Sequence, residues 1–363
     1  MFRFFLITGP FICLLLGSSE STHRVESPTI TQVILISVDG LRPELLQAPL
    51  IDKHPSMARL LRGPHTLEAR TDPDSTVTLP NHIGMVTGRL FAGPSGHNWL
   101  GNTDPPKPGE GGTISEMHGE YVASIFDVAS DHEVATAVVV GKSKFILLDQ
   151  SYDETNGALD TVDADNGRDK IDAFIISKEI DQITAETLKF IRDTAVKGGR
   201  SLSFVHFAEP DIAGHAGAWD FADESDYRKA IVRVDNAIGA LLSSIDADPL
   251  LRGQVAIVLT SDHGGGVPPR SHTDAKAPIN FTIPFLVWMG VDQQPSDLYS
   301  INPKQRTRPN ATENPLANAP QPIRNSDAGN VSLMLLGLPA IPNSTVNGAQ
   351  DLLLVPKAST PVQ

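Results

Sequence analysis

The sequence predicts an α/β protein built on a largely parallel sheet with helices on both faces. Runs rich in Val, Ile and Leu recur along the chain, and helical patterns lie between them. The runs are continuously apolar rather than alternating, as suits strands covered on both sides.

The first strand is "QVILISVDG", which ends at Asp39. "ATAVVVGKSK" is the second and finishes on Lys142 and Lys144. "LSFVHFAEPD" is the third and runs to Asp211. "QVAIVLTSDHG" is the fourth and closes on Asp262 and His263, and "FTIPFLVWMG" is the fifth. In "DYRKAIVRVDNAIGALLSSI" the residues Ile231, Val234, Ile238, Leu241, Leu242 and Ile245 recur at helical spacing. "VSLMLLGLPAIP" reads as a short helix stopped by Gly337 and Pro339. No internal repeat or linker divides the chain, so residues 28–363 read as one domain. Two surface insertions are expected within it. Residues 151–172 are dense in Asp, but a calcium loop starting at Asp163 would need Gly where Arg168 stands. Residues 291–325 are rich in Pro, Asn and Gln.

The N-terminus, "MFRFFLITGPFICLLLGSSES", has one Arg, an apolar stretch of about a dozen residues and then small residues. Residues 1–20 therefore read as a signal peptide, too short to span a bilayer, and the product as secreted or periplasmic. No other segment could cross a membrane. Cys13 is the only cysteine, so the mature chain has no disulfide. A formal net charge of −14 excludes a nucleic-acid polymer as the expected partner. It does not exclude a small anionic substrate, because a bound metal can reverse the local field.

Asp39, Asp211, Asp262 and His263 all fall where strands terminate. The carboxyl ends of parallel strands share one edge, where ligands bind. One strand-end Asp is most simply a cap; several, with Asp-His together, are harder to assign to capping. His215 follows Asp211 by four residues in "DIAGH", and His272 lies in "SHTD". Asp and His together are the donors that bind Zn²⁺ without cysteine. In "DSTVTLPNHIGMVTG", Pro80 suits a helix start and Thr78 lies just before it. Its hydroxyl is either a helix cap or, beside such ligands, a nucleophile, with Thr76 the next candidate. His82, His97 and His206 read as packing or supporting histidines.

"SVDGLRP", "TLPNH", "DIAGH" and "SDHGG" resemble the metal and nucleophile motifs of the alkaline phosphatase superfamily, in its type I phosphodiesterase/nucleotide pyrophosphatase branch. The resemblance runs from about residue 31 to residue 347. It implies an alkaline phosphatase-like core and two Zn²⁺, with Mn²⁺ or Fe as alternatives. Asp211, His215 and His272 would hold one metal; Asp39, Asp262 and His263 would hold the other, with Thr78 bridging to it. His272 follows His263 by nine positions, where many members carry a long insertion. "GHNWLGN" is similar to the segment that ends in a substrate-binding Asn, here Asn102. The implied reaction is a two-step displacement on a small phosphate ester through a phosphothreonine.

"VVVGKSK" is not a phosphate-binding P-loop, because Thr136 stands where that motif needs Gly. Lys142 and Lys144 are either exposed strand-end charges or, like a similar pair in monoester- and phosphonate-cleaving members, ligands of substrate oxygens. The branch points to diesters and nucleotides, the lysines to monoesters or phosphonates. "TVTLPNH" lacks the modified-residue pattern of sulfatases. A non-catalytic binding module and a metal-dependent mutase are the other readings.

Overall fold

The computed structural model describes residues 29–315 and 320–355. The expected signal peptide, with Cys13, lies outside them. Eight strands form one sheet: β1 (Gln32–Val38), β2 (Pro64–Arg70), β3 (Val134–Val140), β4 (Ala173–Ile176), β5 (Arg200–Phe207), β6 (Val255–Thr260), β7 (Thr282–Trp288) and β8 (Ser296–Asp297). Their order is β4-β3-β5-β1-β6-β7-β2-β8. Every pairing is parallel except those of β7 with β6 and β2, so β7 alone runs against the rest.

All the strands expected from the sequence are present, and β7 is the one whose direction its apolar run did not reveal. Three strands carried no such run. β2, "PHTLEAR", is interrupted by polar residues, and β4 and β8 are short edge segments.

Five helices position the site: α1 (Thr78–Thr87), α2 (Ile180–Val196), α3 (Glu209–Gly217), α4 (Asp226–Ala247) and α5 (Asp327–Leu335). Side chains of successive strand residues point to opposite faces, and two apolar clusters result. Val33 and Leu35 of β1 pack with Ile83 and Val86 of α1 and Val331 of α5. Ile34, Ile36 and Val38 pack on the other face with Ile183 of α2 and Ile231, Val234 and Ile238 of α4. All six apolar positions expected on α4 are buried. Each such side chain contributes roughly 1.5–3 kcal/mol.

Buried cations pin both excursions. In residues 151–172 Lys170 is 1% exposed. Its Nζ donates to Asp160, to Asp131 at 3.3 Å and to the Gly167 carbonyl at 3.1 Å, while Asp163 and Asp165 stay exposed. In residues 291–325 the carbonyls of Glu313 and Asn310 accept from Arg70 at 2.8 and 3.0 Å. Asn280 and Asn330, which begin Asn-x-Ser/Thr triplets, are buried.

Candidate active site and metal centre

Strand register brings the functional residues together. Val38 lies opposite Phe207, and Ser37 opposite Thr260, so β1, β5 and β6 end at one level. Asp39 follows β1 directly, Asp262 and His263 follow β6, and α3 begins two residues after β5. On α3, Asp211 and His215 are four residues apart and share a face. The Ser261 hydroxyl accepts from Leu41 N–H at 3.0 Å and lies 2.8 Å from the Val38 carbonyl, tying the β1 and β6 loops.

Two groups of possible metal ligands result: Asp211, His215 and His272, and Asp39, Asp262 and His263. Within each group the ligand atoms lie within 4.8 Å of one another. All three histidines are oriented alike. Nδ1–H donates to a carbonyl in each: His215 to Arg270 at 2.7 Å, His263 to Gly264 at 2.8 Å and His272 to Thr76 at 2.6 Å. That fixes the tautomer and leaves every Nε2 with a free lone pair. His263 Nε2 lies 3.1 Å from Asp262 Oδ2, 3.3 Å from Asp39 Oδ1 and 3.9 Å from Asp211 Oδ1. His215 and His272 Nε2 face Asp211 Oδ1 at 3.3 and 3.7 Å.

These carboxylate oxygens, Asp39 Oδ1, Asp211 Oδ1 and Asp262 Oδ2, are buried and have no hydrogen-bond partner. Acceptors facing acceptors in a buried site lack a cation, and an unpaired buried acceptor costs about 1–3 kcal/mol. The residues therefore fit a divalent metal in each group.

The electrostatics agree. Burial pushes the Asp262 carboxyl well above the usual carboxylate range, and the charges of Asp39 and Asp211 add to it. Burial opposes ionisation of Asp39 too, but Lys142, His206 and His263 outweigh it and hold this carboxyl well below that range. Burial, then His263, lowers His272 to about 3, leaving the neutral ring that binds metal.

Thr78 is the first residue of α1 and is 1% exposed; Val77 occupies the capping position. The helix thus starts two residues earlier than Pro80 suggested, and the Thr78 hydroxyl has no capping role. Its Oγ1 lies 3.3 Å from His263 Nε2. Asn81 holds the preceding loop, donating to the Ser75 and Val77 carbonyls at 2.9 and 3.0 Å. Thr76 is turned away, its hydroxyl donating to the His272 carbonyl at 2.5 Å.

Asn102 Oδ1 accepts from Leu79 N–H at 3.1 Å and from Lys144 Nζ at 2.9 Å. Two donors on one atom assign it as the oxygen and aim Nδ2 away from them. Lys142 Nζ donates to Oδ2 of both Asp39 and Asp211 at 2.6 Å, bridging the two ligand groups. Both lysines thus sit at the site edge, and each is engaged by a site residue.

Of the remaining histidines, His206 Nδ1 accepts from Gly141 N–H at 3.3 Å, so Nε2–H donates to Asp39 Oδ2 at 2.9 Å. His82 Nδ1 donates to the Thr78 carbonyl at 2.7 Å and Nε2 accepts from Ser37 Oγ at 2.8 Å. His97 is buried and accepts from Trp99 N–H at 3.2 Å.

Sequence reasoning missed Trp219. Its indole N–H donates to the Gly40 carbonyl at 3.1 Å, and its ring fills the space over Gly214 and Gly265. A Cβ on either glycine would stand 2.3 or 2.2 Å from the ring. One indole thus contacts the glycine of all three ligand motifs, "VDG", "DIAGH" and "DHGG". Three glycines, each beside a ligand, were the available signal.

A largely parallel α/β sheet with two Asp/His groups at its carboxyl edge gives the chain the fold of the alkaline phosphatase superfamily. A solved Vibrio parahaemolyticus protein of the alkaline phosphatase superfamily shares this fold, with a TM-score of 0.57, 14% identity and coverage of 90% of this chain and 71% of that one. A lipoteichoic acid synthase from Listeria monocytogenes is similar, with a TM-score of 0.56, 11% identity and coverage of 86% and 73%. A 2,3-bisphosphoglycerate-independent phosphoglycerate mutase of Rippkaea orientalis is 34% identical over 113 residues, which span 30% of this chain and 19% of the mutase. Residues 33–358 match the type I phosphodiesterase/nucleotide pyrophosphatase family, and the chain belongs to it.

Proposed function

We propose that the chain is an exported, metal-dependent hydrolase of small phosphoric esters, of the phosphodiester or nucleotide pyrophosphate type, working through a phosphothreonine at Thr78. The observation that carries this reading is the Thr78 hydroxyl, 3.3 Å from His263 at the rim of two ligand groups with unpartnered carboxylate oxygens. Bound to Asp211, His215 and His272 and to Asp39, Asp262 and His263, two Zn²⁺ (or Mn²⁺ or Fe) would supply charge that ionises the hydroxyl and offsets charge on the phosphoryl oxygens.

This chain's residues do the rest. Thr78 Oγ attacks phosphorus in line, forming a new O–P bond as the bond to the leaving oxygen breaks. Asn102, held through Oδ1 by Leu79 and Lys144, turns Nδ2 toward a non-bridging oxygen. His82 and Asn81 fix the start of α1, so the nucleophile is positioned before substrate arrives. Water then displaces phosphate from Thr78 and restores the hydroxyl.

Phosphate monoesters or phosphonates form the second reading. It is favoured by Lys142, a resident cation between the two ligand groups. Residues 1–20 are proposed as the export signal, which sequencing of the mature N-terminus would check.

The decisive variant is Thr78→Ala. Loss of a covalent nucleophile should lower kcat by at least about a thousandfold with zinc content unchanged. A variant retaining more than a tenth of wild-type turnover would remove Thr78 from the mechanism.

A further inference from the structure

A cleft of about 340 Å³ opens beside the ligand groups, between the end of β3, the start of α2 and α3. It falls at the small end of the range for small-molecule sites, roughly 300–1,000 Å³. Its inner end is formed by Lys142 and Lys144, which touch Asp39, Asp211 and Asn102. A phosphoryl group in front of Thr78 would therefore lie next to that inner end.

The walls are apolar. Phe207, Ile180 and Ile183 are 1%, 8% and 2% exposed and form the floor. Ile212, on the outer face of α3, is 57% exposed at the rim. A ligand lying in the cleft would cover this side chain.

The charges are unevenly committed. Lys142 and Lys144 already have partners. The one carboxylate lining the cleft, Glu209, is ion-paired with Arg233 at 2.5 Å. Lys178 is exposed, lines the cleft, and has no hydrogen bond or ion pair among the described residues. In a chain of net charge −14, Lys178 is thus a cation at an apolar cleft that is free to meet an anion.

We propose that this cleft holds the leaving group of the ester, and that this group is an apolar chain or ring ending in a second anion seated on Lys178. This rests on the phosphoric-ester reading, and it adds the class of substrate: a bifunctional anion, with the scissile phosphoryl at Thr78 and a carboxylate or phosphate at the far end.

The experiment is calorimetric titration of the full-length Thr78→Ala protein, loaded with Zn²⁺, with phosphonooxyhexanoate, hexyl phosphate and aminohexyl phosphate. The carboxylate ester should bind about tenfold more tightly than hexyl phosphate, the gain from one charge-assisted contact. Adding Lys178→Ala should erase that difference, and Lys178→Glu should reverse it in favour of aminohexyl phosphate. Ile212→Ser should weaken all three alike while sparing methyl phosphate. Equal affinities in the Lys178 protein, equal losses for all three in Lys178→Ala, or no binding of any, would overturn the proposal. Binding with this pattern, but no phosphate release by the Thr78 protein, would sink the hydrolase reading and leave the cleft assignment standing.

Discussion

Lys142 and Lys144 are two residues apart in sequence and do different jobs. Lys142 places its charge between Asp39 and Asp211, whereas Lys144 places a hydrogen bond on Asn102. A phosphate monoester carries close to two negative charges at neutral pH and a diester one. Losing the Lys142 charge should therefore cost a monoester more. Lys142→Ala should lower kcat/KM for a nitrophenyl phosphate about tenfold further than for its diester counterpart. Lys144→Met frees Asn102 to rotate and should lower both values equally, by about tenfold. The reverse pattern would make Lys144 the substrate ligand and Lys142 the scaffold. The sequence placed both lysines at the sheet edge because they follow the apolar run of β3. Nothing in "GKSK" says which carbonyl or carboxylate each amine reaches, since that depends on residues 42 to 103 positions away in the chain.

At the scale of elements, the loops after β1 and β6 and helix α3 must be held against each other for the ligands to converge, and Trp219 does this. Ala218 and Trp219 both have left-handed backbone, with φ of 60° and 55°. That conformation costs non-glycine residues of order 1 kcal/mol each, a cost the packing of the indole offsets. Trp219→Ala should lower stability by about 3–5 kcal/mol and weaken zinc binding as the Gly40 and Gly265 loops and helix α3 drift apart. Gly265→Ala should do the same from the other side, because its methyl would strike the ring. Both effects are readable as midpoint temperature and zinc affinity, and unchanged zinc affinity in both variants would mark Trp219 as packing alone. The legible elements were those with long apolar runs: β1, β3, β5, β6, β7 and α4. The direction of β7 was not legible, because a buried run reads the same in either direction. Trp219 was hidden because its contacts are set by loops closing on it, not by any period along the chain.

Over the whole molecule, the sheet is covered on both faces, and the core carries stability without a disulfide in the described chain. Against that core stands the cost of the site itself. Three buried carboxylate oxygens have no partner, each costing about 1–3 kcal/mol. Lys142 and His206 relieve only the other oxygens of Asp39 and Asp211. Metal binding would satisfy the remaining ones, and a ligand at a hundred times its dissociation constant adds about 2.7 kcal/mol per site. At roughly 2–4 °C per kcal/mol for a domain of a few hundred residues, chelation should lower the midpoint temperature by about 5–20 °C, and Zn²⁺ should restore it. Thr78→Ala should show the same shift, which separates metal binding from turnover. Lys142→Met supplies the sign. Without the ammonium, Asp211 Oδ2 loses its donor and Asp39 Oδ2 keeps only His206 in the metal-free protein, so its midpoint should fall below wild type. The metal-loaded form should fall less, because the cations already neutralise the same carboxylates, and the chelator shift should therefore widen. A shift that narrows would mean that Lys142 stabilises the loaded site more than the empty one. No chelator shift in any of these proteins would mean that the two Asp/His groups hold no metal.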